Sequence, residues 1–404
     1  MKARKVAIGL ALSGLALVAG DQLTLHTVLA DGVLLGHELA PFAPPLYSAQ
    51  QRLLLEEYET RLRENRAAFD RVTQFDDELG WCPRPGQKTQ LSSFDWAGSR
   101  VGRTPLPRGW TEDTRLVGLI GGSFTHGSEV RSDESWAAEL EQRDPGTLFA
   151  NFGVPGYGLG QTLLRYRRDV APLEPDEVWL GYLPQAALRS TSNFPALYLR
   201  WRARTISFKP SFTLDARDAL VLHPSPAGMP EDIPRLLRDP EAFLDAVGEG
   251  DRWIRRVPAA YLPLGAHWQH HTTLGRVALT AQERGGRNHE AFMADSKSDV
   301  YRLNRELVLT LAREVEATGA RFRLVVLPSA TDLEGLDASG VAYWQAFVDD
   351  LSQSGVAILD VTPALLRAGV RDGRSEEFWM PEGHYSPRTN RLVADEIARS
   401  WLAD

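Results

Sequence analysis

Five short runs of mostly apolar residues punctuate this chain: Leu116–Ile120, Thr147–Phe152, Glu177–Leu183, Phe322–Leu327 and Val356–Leu359. Such runs read as strands buried on both faces. Between them apolar residues recur every three or four positions, at Trp136–Gln142, Leu159–Asp169, Val300–Thr318 and Tyr343–Gln353. This spacing predicts helices with one buried stripe. Strand and helix alternate, so the pattern predicts a parallel sheet with helices on both faces and right-handed crossovers. A last helix starts after Ser386, a good cap, and Pro387, which suits a first turn. Val393, Ile397 and Trp401 mark its buried side.

Two regions depart from that alternation. Residues 190–295 carry scattered prolines, several tryptophans and the cluster His267, His270 and His271. They read as a large insertion between strands three and four, a cap or lid over the site. At the other end, Lys2, Arg4 and Lys5 precede the apolar run Val6–Gly20. Basic residues before a short apolar core predict a signal peptide or an uncleaved signal anchor over residues 1–36, with the rest of the chain exported. A buried N-terminal helix is the other reading. Residues 37–110 are expected to form a linker, a charged helix and lead-in strands, and residues 111–404 the main domain.

Composition narrows the function. The net charge of −8 argues against a general nucleic-acid binder. The basic cluster Arg200, Arg202, Arg204 and Lys209 reads as a solvated face, with an anionic glycan or lipid headgroup as the alternative. A single cysteine, Cys82, excludes an intramolecular disulfide and reads as structural. No phosphate- or dinucleotide-binding glycine motif is present. The histidine cluster lacks nearby carboxylates and is a weak metal signal. No cofactor and no metal are expected.

The chemistry concentrates at Gly121-Gly122-Ser123-Phe124-Thr125, at the carboxyl end of the first strand. Open parallel sheets place their ligands there. A serine needs a base to act as a nucleophile, and His384, in the loop before the last helix, is the candidate. Glu382 is the candidate acid to orient it, with Glu377 as fallback. His126 is expected to point elsewhere, and Asn151 to support a glycine turn.

Three segments in this order, IGGSFTHG at 120–127, NFGVPGYGLGQ at 151–161 and PEGHYSP at 381–387, resemble the SGNH (GDSL-like) hydrolase superfamily, in particular bacterial membrane-anchored members. ELGWCPRPG and WAGSRVGR resemble the lead-in of such members. The resemblance implies a flavodoxin-like three-layer α/β sandwich with strand order 2-1-3-4-5. It also implies a Ser-His-acid site, with an oxyanion hole from the backbone of Ser123 and Gly156 and an asparagine side chain. No asparagine follows strand three, so Gln185 is the expected substitute and Asn193 a second choice. Glu382 stands where the superfamily usually has aspartate, and Gly122 replaces the aspartate of the GDSL pattern.

The function implied is hydrolysis of a small acyl ester, such as acetyl, on a carbohydrate. One alternative is a polysaccharide O-acetyltransferase working with a membrane partner. Another is a catalytically weakened glycan-binding or assembly protein.

Overall fold

The computed structural model describes the chain except residues 1, 30–31, 43–48, 65–71, 112–113, 198–206, 249, 372–374 and 403–404. It divides into two compact units. One comprises residues 69–193, 209–228 and 289–404; the other comprises residues 1–68, 194–208 and 229–288.

The first unit is built on a five-stranded sheet: β1 (Arg115–Gly121), β2 (Thr147–Asn151), β3 (Glu177–Tyr182), β4 (Arg321–Val326) and β5 (Ala357–Asp360). All pairings are parallel, in the order β5-β4-β3-β1-β2. This is the expected 2-1-3-4-5 order, and the fold is the expected three-layer α/β sandwich. The physical reason lies in the strands. β3 is buried at all six positions and β1 at all but the first, so neither face can meet water. Each fully buried Leu or Val contributes about 1.5–3 kcal/mol, which drives helices onto both sides.

Six helices of this unit matter for the site: α1 (Ser123–His126), α2 (Trp136–Arg143), α3 (Leu159–Arg165), α4 (Asp299–Ala317), α5 (Gln345–Gln353) and α6 (Pro387–Trp401). α3 runs on into a π-helical turn, Tyr166–Val170. Ser386 caps α6 by accepting from Thr389 N, with Pro387 in the first turn. Val393 and Ile397 are buried and Trp401 half-buried. Trp401 packs edge-on to Trp179 of β3.

At the amino end of the sheet, Glu177 is wholly buried among cations. It accepts from Arg115 at 2.7 Å, Arg321 at 2.5 Å, Arg323 at 3.0 Å and the Trp179 indole at 2.9 Å. Burial pushes the carboxyl up, but the indole and the arginines outweigh it and hold it below its ordinary value of 4.5.

The second unit joins the N-terminal residues to two parts, 194–208 and 229–288, of the region between β3 and β4; residues 209–228 of that region belong to the first unit. An N-terminal helix, Lys2–Thr27, lies against the helix Thr273–Gly285. Residues 39–42, read from sequence as linker, are packed there. Ala40 N donates to Thr280 Oγ1, and Arg276 donates to the carbonyls of Leu39 and Ala40. Side chains thus satisfy the backbone of a buried loop, Thr280 as acceptor and Arg276 as donor. Among the described residues no helix is long and apolar enough to cross a membrane.

Glu177→Gln should lower stability by about 3 kcal/mol at neutral pH, because the arginines lose their shared anion. The folded carboxyl titrates below the unfolded one. The wild-type advantage is therefore complete above pH 4.5 and shrinks as pH falls through the lower folded value. Denaturant melts of both proteins across pH 3–7 measure this convergence.

Candidate active site

β1 ends at Gly121, whose φ of +148° brings the chain into a turn closed to any side chain. A Cβ there would stand 2.3 Å from Thr125 Oγ1 and 2.6 Å from the Gly181 carbonyl. Gly122 caps α1, so Ser123 occupies the first position of a one-turn helix. Ser123 is 5% exposed, and its hydroxyl has no hydrogen-bond partner among the described residues.

His384 reaches this helix from a tight turn before α6. Gly383 N donates to Met380 O, Met380 N to His384 O, and Gly383 takes a φ of +89°. Trp379 and Tyr385 pair across the turn. The His384 ring lies 5.4 Å from that of Phe124, and Tyr385 packs edge-on to Phe124 at 4.7 Å. The fold thus brings the serine helix and the histidine loop together from opposite ends of the domain. No hydrogen bond joins Ser123 to His384, and such contacts are often loose in unliganded sites.

The carboxylate on His384 is that of Glu129, not Glu382. His384 Nδ1 lies 2.5 Å from Glu129 Oε2. The backbone N–H groups of Glu382 and His384 donate to the same carboxylate at 2.7 and 3.2 Å. Glu382 therefore meets the Glu129 carboxylate through its main chain. Its side chain is exposed, because the tight turn directs residues 382 and 384 differently. Glu377, the fallback acid, is exposed and pairs with Arg388.

Glu129 gets there by an unusual backbone. It is a non-glycine residue with a φ of +69°, a conformation that costs about 1–3 kcal/mol and persists only where the surroundings impose it. Arg100 supplies the imposition. It is 2% exposed, and its guanidinium donates to the carbonyls of Leu91, His126, Gly127 and Val130 at 2.5–3.0 Å. Burial lowers this guanidinium to about 10, so it stays charged at neutral pH. The loop carrying Glu129 is thereby tied down on both sides.

The second turn is fixed in a similar way. Asn151 Nδ2 donates to Thr125 O, and its Oδ1 accepts from Gly153 N, the supporting role expected of it. Val154 N donates to Gly121 O. Trp81, in the lead-in hairpin Thr73–Asp76/Gly80–Pro83, donates to Pro155 O at 3.1 Å, and Tyr157 donates back to Trp81 O. Gly156 sits between these two anchors. His126 points away from the serine, as expected. Its Nδ1 meets Gly153 O at 3.1 Å, its ring stacks on Phe94, and burial with the Arg100 charge keeps it well below its ordinary value.

Gln185 lies just beyond β3, and its amide oxygen accepts from Thr331 at 3.2 Å. Asn193 is buried away from this chemistry, bonded to Lys209 O and Ser211 Oγ. A different group borders the serine turn. Arg189 donates to Tyr157 O at 3.2 Å. A Cβ on Gly122 would stand 3.2 Å from that carbonyl and 3.7 Å from the guanidinium. Arg189 thus fills the space beside the position where the GDSL pattern carries aspartate.

The remaining sequence candidates have structural surroundings. His270 uses both ring nitrogens, on Ala259 O and Gly265 N. No cluster of metal-ligating residues occurs among the described residues. Lys209 is buried and donates to three carbonyls, of Arg189, Ser192 and Pro210; Arg200, Arg202 and Arg204 lie outside the described residues. Cys82 is buried.

No protein-family model and no curated protein matches the chain. Solved structures do. A member of the lipolytic protein G-D-S-L family from Veillonella parvula is 9% identical with a TM-score of 0.34, over 72% of this chain and all of its own. The acetyl xylan esterase AlAXEase is 11% identical with a TM-score of 0.36, over 71% and 99%. A lipase/acylhydrolase from Enterococcus faecalis is 14% identical with a TM-score of 0.35, over 71% and 94%. These likenesses are distant, and none assigns a role to a residue of this chain.

Sequence reasoning missed Glu129, Arg100 and Arg189. The available signal for Glu129 was a carboxylate six positions past the serine, just after Gly127. Two expectations follow from the geometry. For the reaction proposed below, Glu129→Gln should slow ester turnover by about 10⁴-fold, while Glu382→Gln and Glu377→Gln stay within about threefold of the parent; steady-state kinetics on a 4-nitrophenyl ester compares all three. Arg100→Met should destabilise the fold by about 3 kcal/mol, since it leaves four carbonyls without their donor, as measured by urea melts.

Proposed function

We propose that this chain is a serine-dependent esterase that hydrolyses a small acyl ester, with acetyl on a carbohydrate hydroxyl as the substrate class. The observation that carries the reading is the Glu129–His384 contact, with the His384 ring against Phe124 of the helix that begins at Ser123. An imidazole whose Nδ1 is held by a carboxylate presents its Nε2 as a base. The low exposure of Ser123 favours a short acyl group.

In this reading His384 Nε2 takes the proton of Ser123 as Oγ attacks the ester carbonyl. The carbonyl electrons move onto oxygen, and the oxyanion is met by the backbone N–H groups of Ser123 and Gly156. Collapse expels the alcohol, which takes the proton from His384. Water, deprotonated by the same imidazole, then releases the acid and restores the serine. Glu129 holds the ring throughout and offsets its charge when it is protonated. For the third oxyanion donor, Arg189 stands beside Gln185 as a candidate, because Arg189 borders the turn at Gly122.

The supplied acid also bears on the alternatives. Two features support the weakened binding protein, the missing oxyanion asparagine and the glutamate in place of aspartate before His384; Glu129 bears on the second alone. Transfer to a sugar in place of water uses the same residues and is separated from hydrolysis by product analysis with a saccharide acceptor.

The test is hydrolysis of 4-nitrophenyl acetate, butyrate and octanoate, with Ser123→Ala and phosphonate labelling alongside. Acetate should be turned over at least tenfold faster than octanoate, and Ser123→Ala should lose both turnover and label. Arg189→Met should lose about a hundredfold in kcat and still label. Normal turnover by Ser123→Ala would remove the reading.

A further inference from the structure

The N-terminal helix is exposed in a way that water does not tolerate. Residues 12–20 are exposed at every position, and only Ser13 among them has a polar side chain. Leu12, Leu15, Leu17, Val18 and Leu23 are all more than 60% exposed. At 100° per residue they point to all sides of the helix. A protein groove covers one stripe of a helix; a helix apolar on every side belongs inside a large protein core or in lipid, and lipid covers a helix that stands out from its own folded unit.

The carboxyl end of this helix is not a free tether. Asp21 caps the helix Thr273–Gly285, accepting from Thr273 N at 3.1 Å and Leu274 N at 2.8 Å. Thr273 Oγ1 donates to Asp21 O, and Gln22 donates to His271 O at 2.7 Å. At this junction the inserted region carries its own exposed apolar residues: Leu264, Trp268 and Leu274 are each more than two-thirds exposed, with Val277 beside them. Trp268 begins the short turn Trp268–His271 that Gln22 grips. A tryptophan with an apolar body and an N–H suits the headgroup layer of a bilayer.

Length links the two observations. The apolar run Val6–Gly20 would extend about 22 Å as helix, short of the roughly 30 Å hydrocarbon core. A short helix fixed rigidly to a folded unit draws that unit to the membrane. We propose that residues 264–277 form a membrane-docking face around the root of the N-terminal helix, and that its partner is the lipid bilayer. Lys2, Arg4 and Lys5 at the start of the helix match anionic headgroups in charge. The serine site plays no part in this proposal.

The test uses the full chain with Trp268→Cys on a Cys82→Ser background, labelled with a nitrobenzoxadiazole probe. The protein is mixed with phosphatidylcholine–phosphatidylglycerol vesicles that carry nitroxide near the headgroup. The probe should shift to the blue and be quenched, as should the same probe at Leu274→Cys. Trp268→Ser combined with Leu274→Ser should weaken vesicle partition by about tenfold at unchanged melting temperature. Vesicle-bound protein with both probes unquenched would overturn the proposal. So would unchanged partition of the double variant. So would a concentration-dependent dimer that buries both probes without vesicle binding. Ser123→Ala should bind vesicles like the parent, which separates failure here from failure of the esterase reading.

Discussion

The contact between His384 and Glu129 depends on a loop held in a conformation that glutamate does not choose for itself. Glu129 lies six positions after Ser123, and in that span the chain completes one helical turn, reverses and passes through a positive φ. The Arg100 guanidinium makes this possible by gathering the carbonyls on either side. A buried cation bonded to carbonyls is costly to place and costlier to remove. The loop is therefore rigid where the chemistry needs it. In the proposed reaction, base and acid then require little adjustment when substrate arrives.

The same logic explains the segment before the sheet. Residues 73–101 contribute no strand to it, yet they hold both turns of the candidate site. Trp81 fixes the Pro155–Gly156 turn, and Arg100 fixes the Glu129 loop while its own backbone pairs with Asn151. The lead-in thus acts as a clamp across two loops that leave neighbouring strands. A parallel sheet supplies the loops at one edge; it does not by itself fix their conformation.

The helices were legible because amphipathic spacing is local. α4 and α6 carry regular apolar stripes, and Ser386-Pro387 marks a helix start by its own chemistry. The strands were legible because each is apolar nearly throughout, which only two covered faces explain. Ser123 and His384 stood out for a similar reason, each at the edge of a recognisable element. Glu382 misled because proximity in sequence to His384 was taken for proximity of side chains. In a turn closed by Gly383, residues two apart diverge.

What the sequence determined by itself was periodic: the five strands, the helices between them, and the points where strand gives way to turn. Tertiary structure alone decided which carboxylate meets His384, since Glu129 and His384 are brought together only when the first and last parts of the domain pack. It also decided that the N-terminal helix is capped onto the inserted region through Asp21, a pairing across some 250 positions that no local pattern encodes. The physical reason is common to both. Propensity and periodicity act over a few residues, whereas a carboxylate seeks the donors that folding places nearest, and those belong to distant parts of the chain.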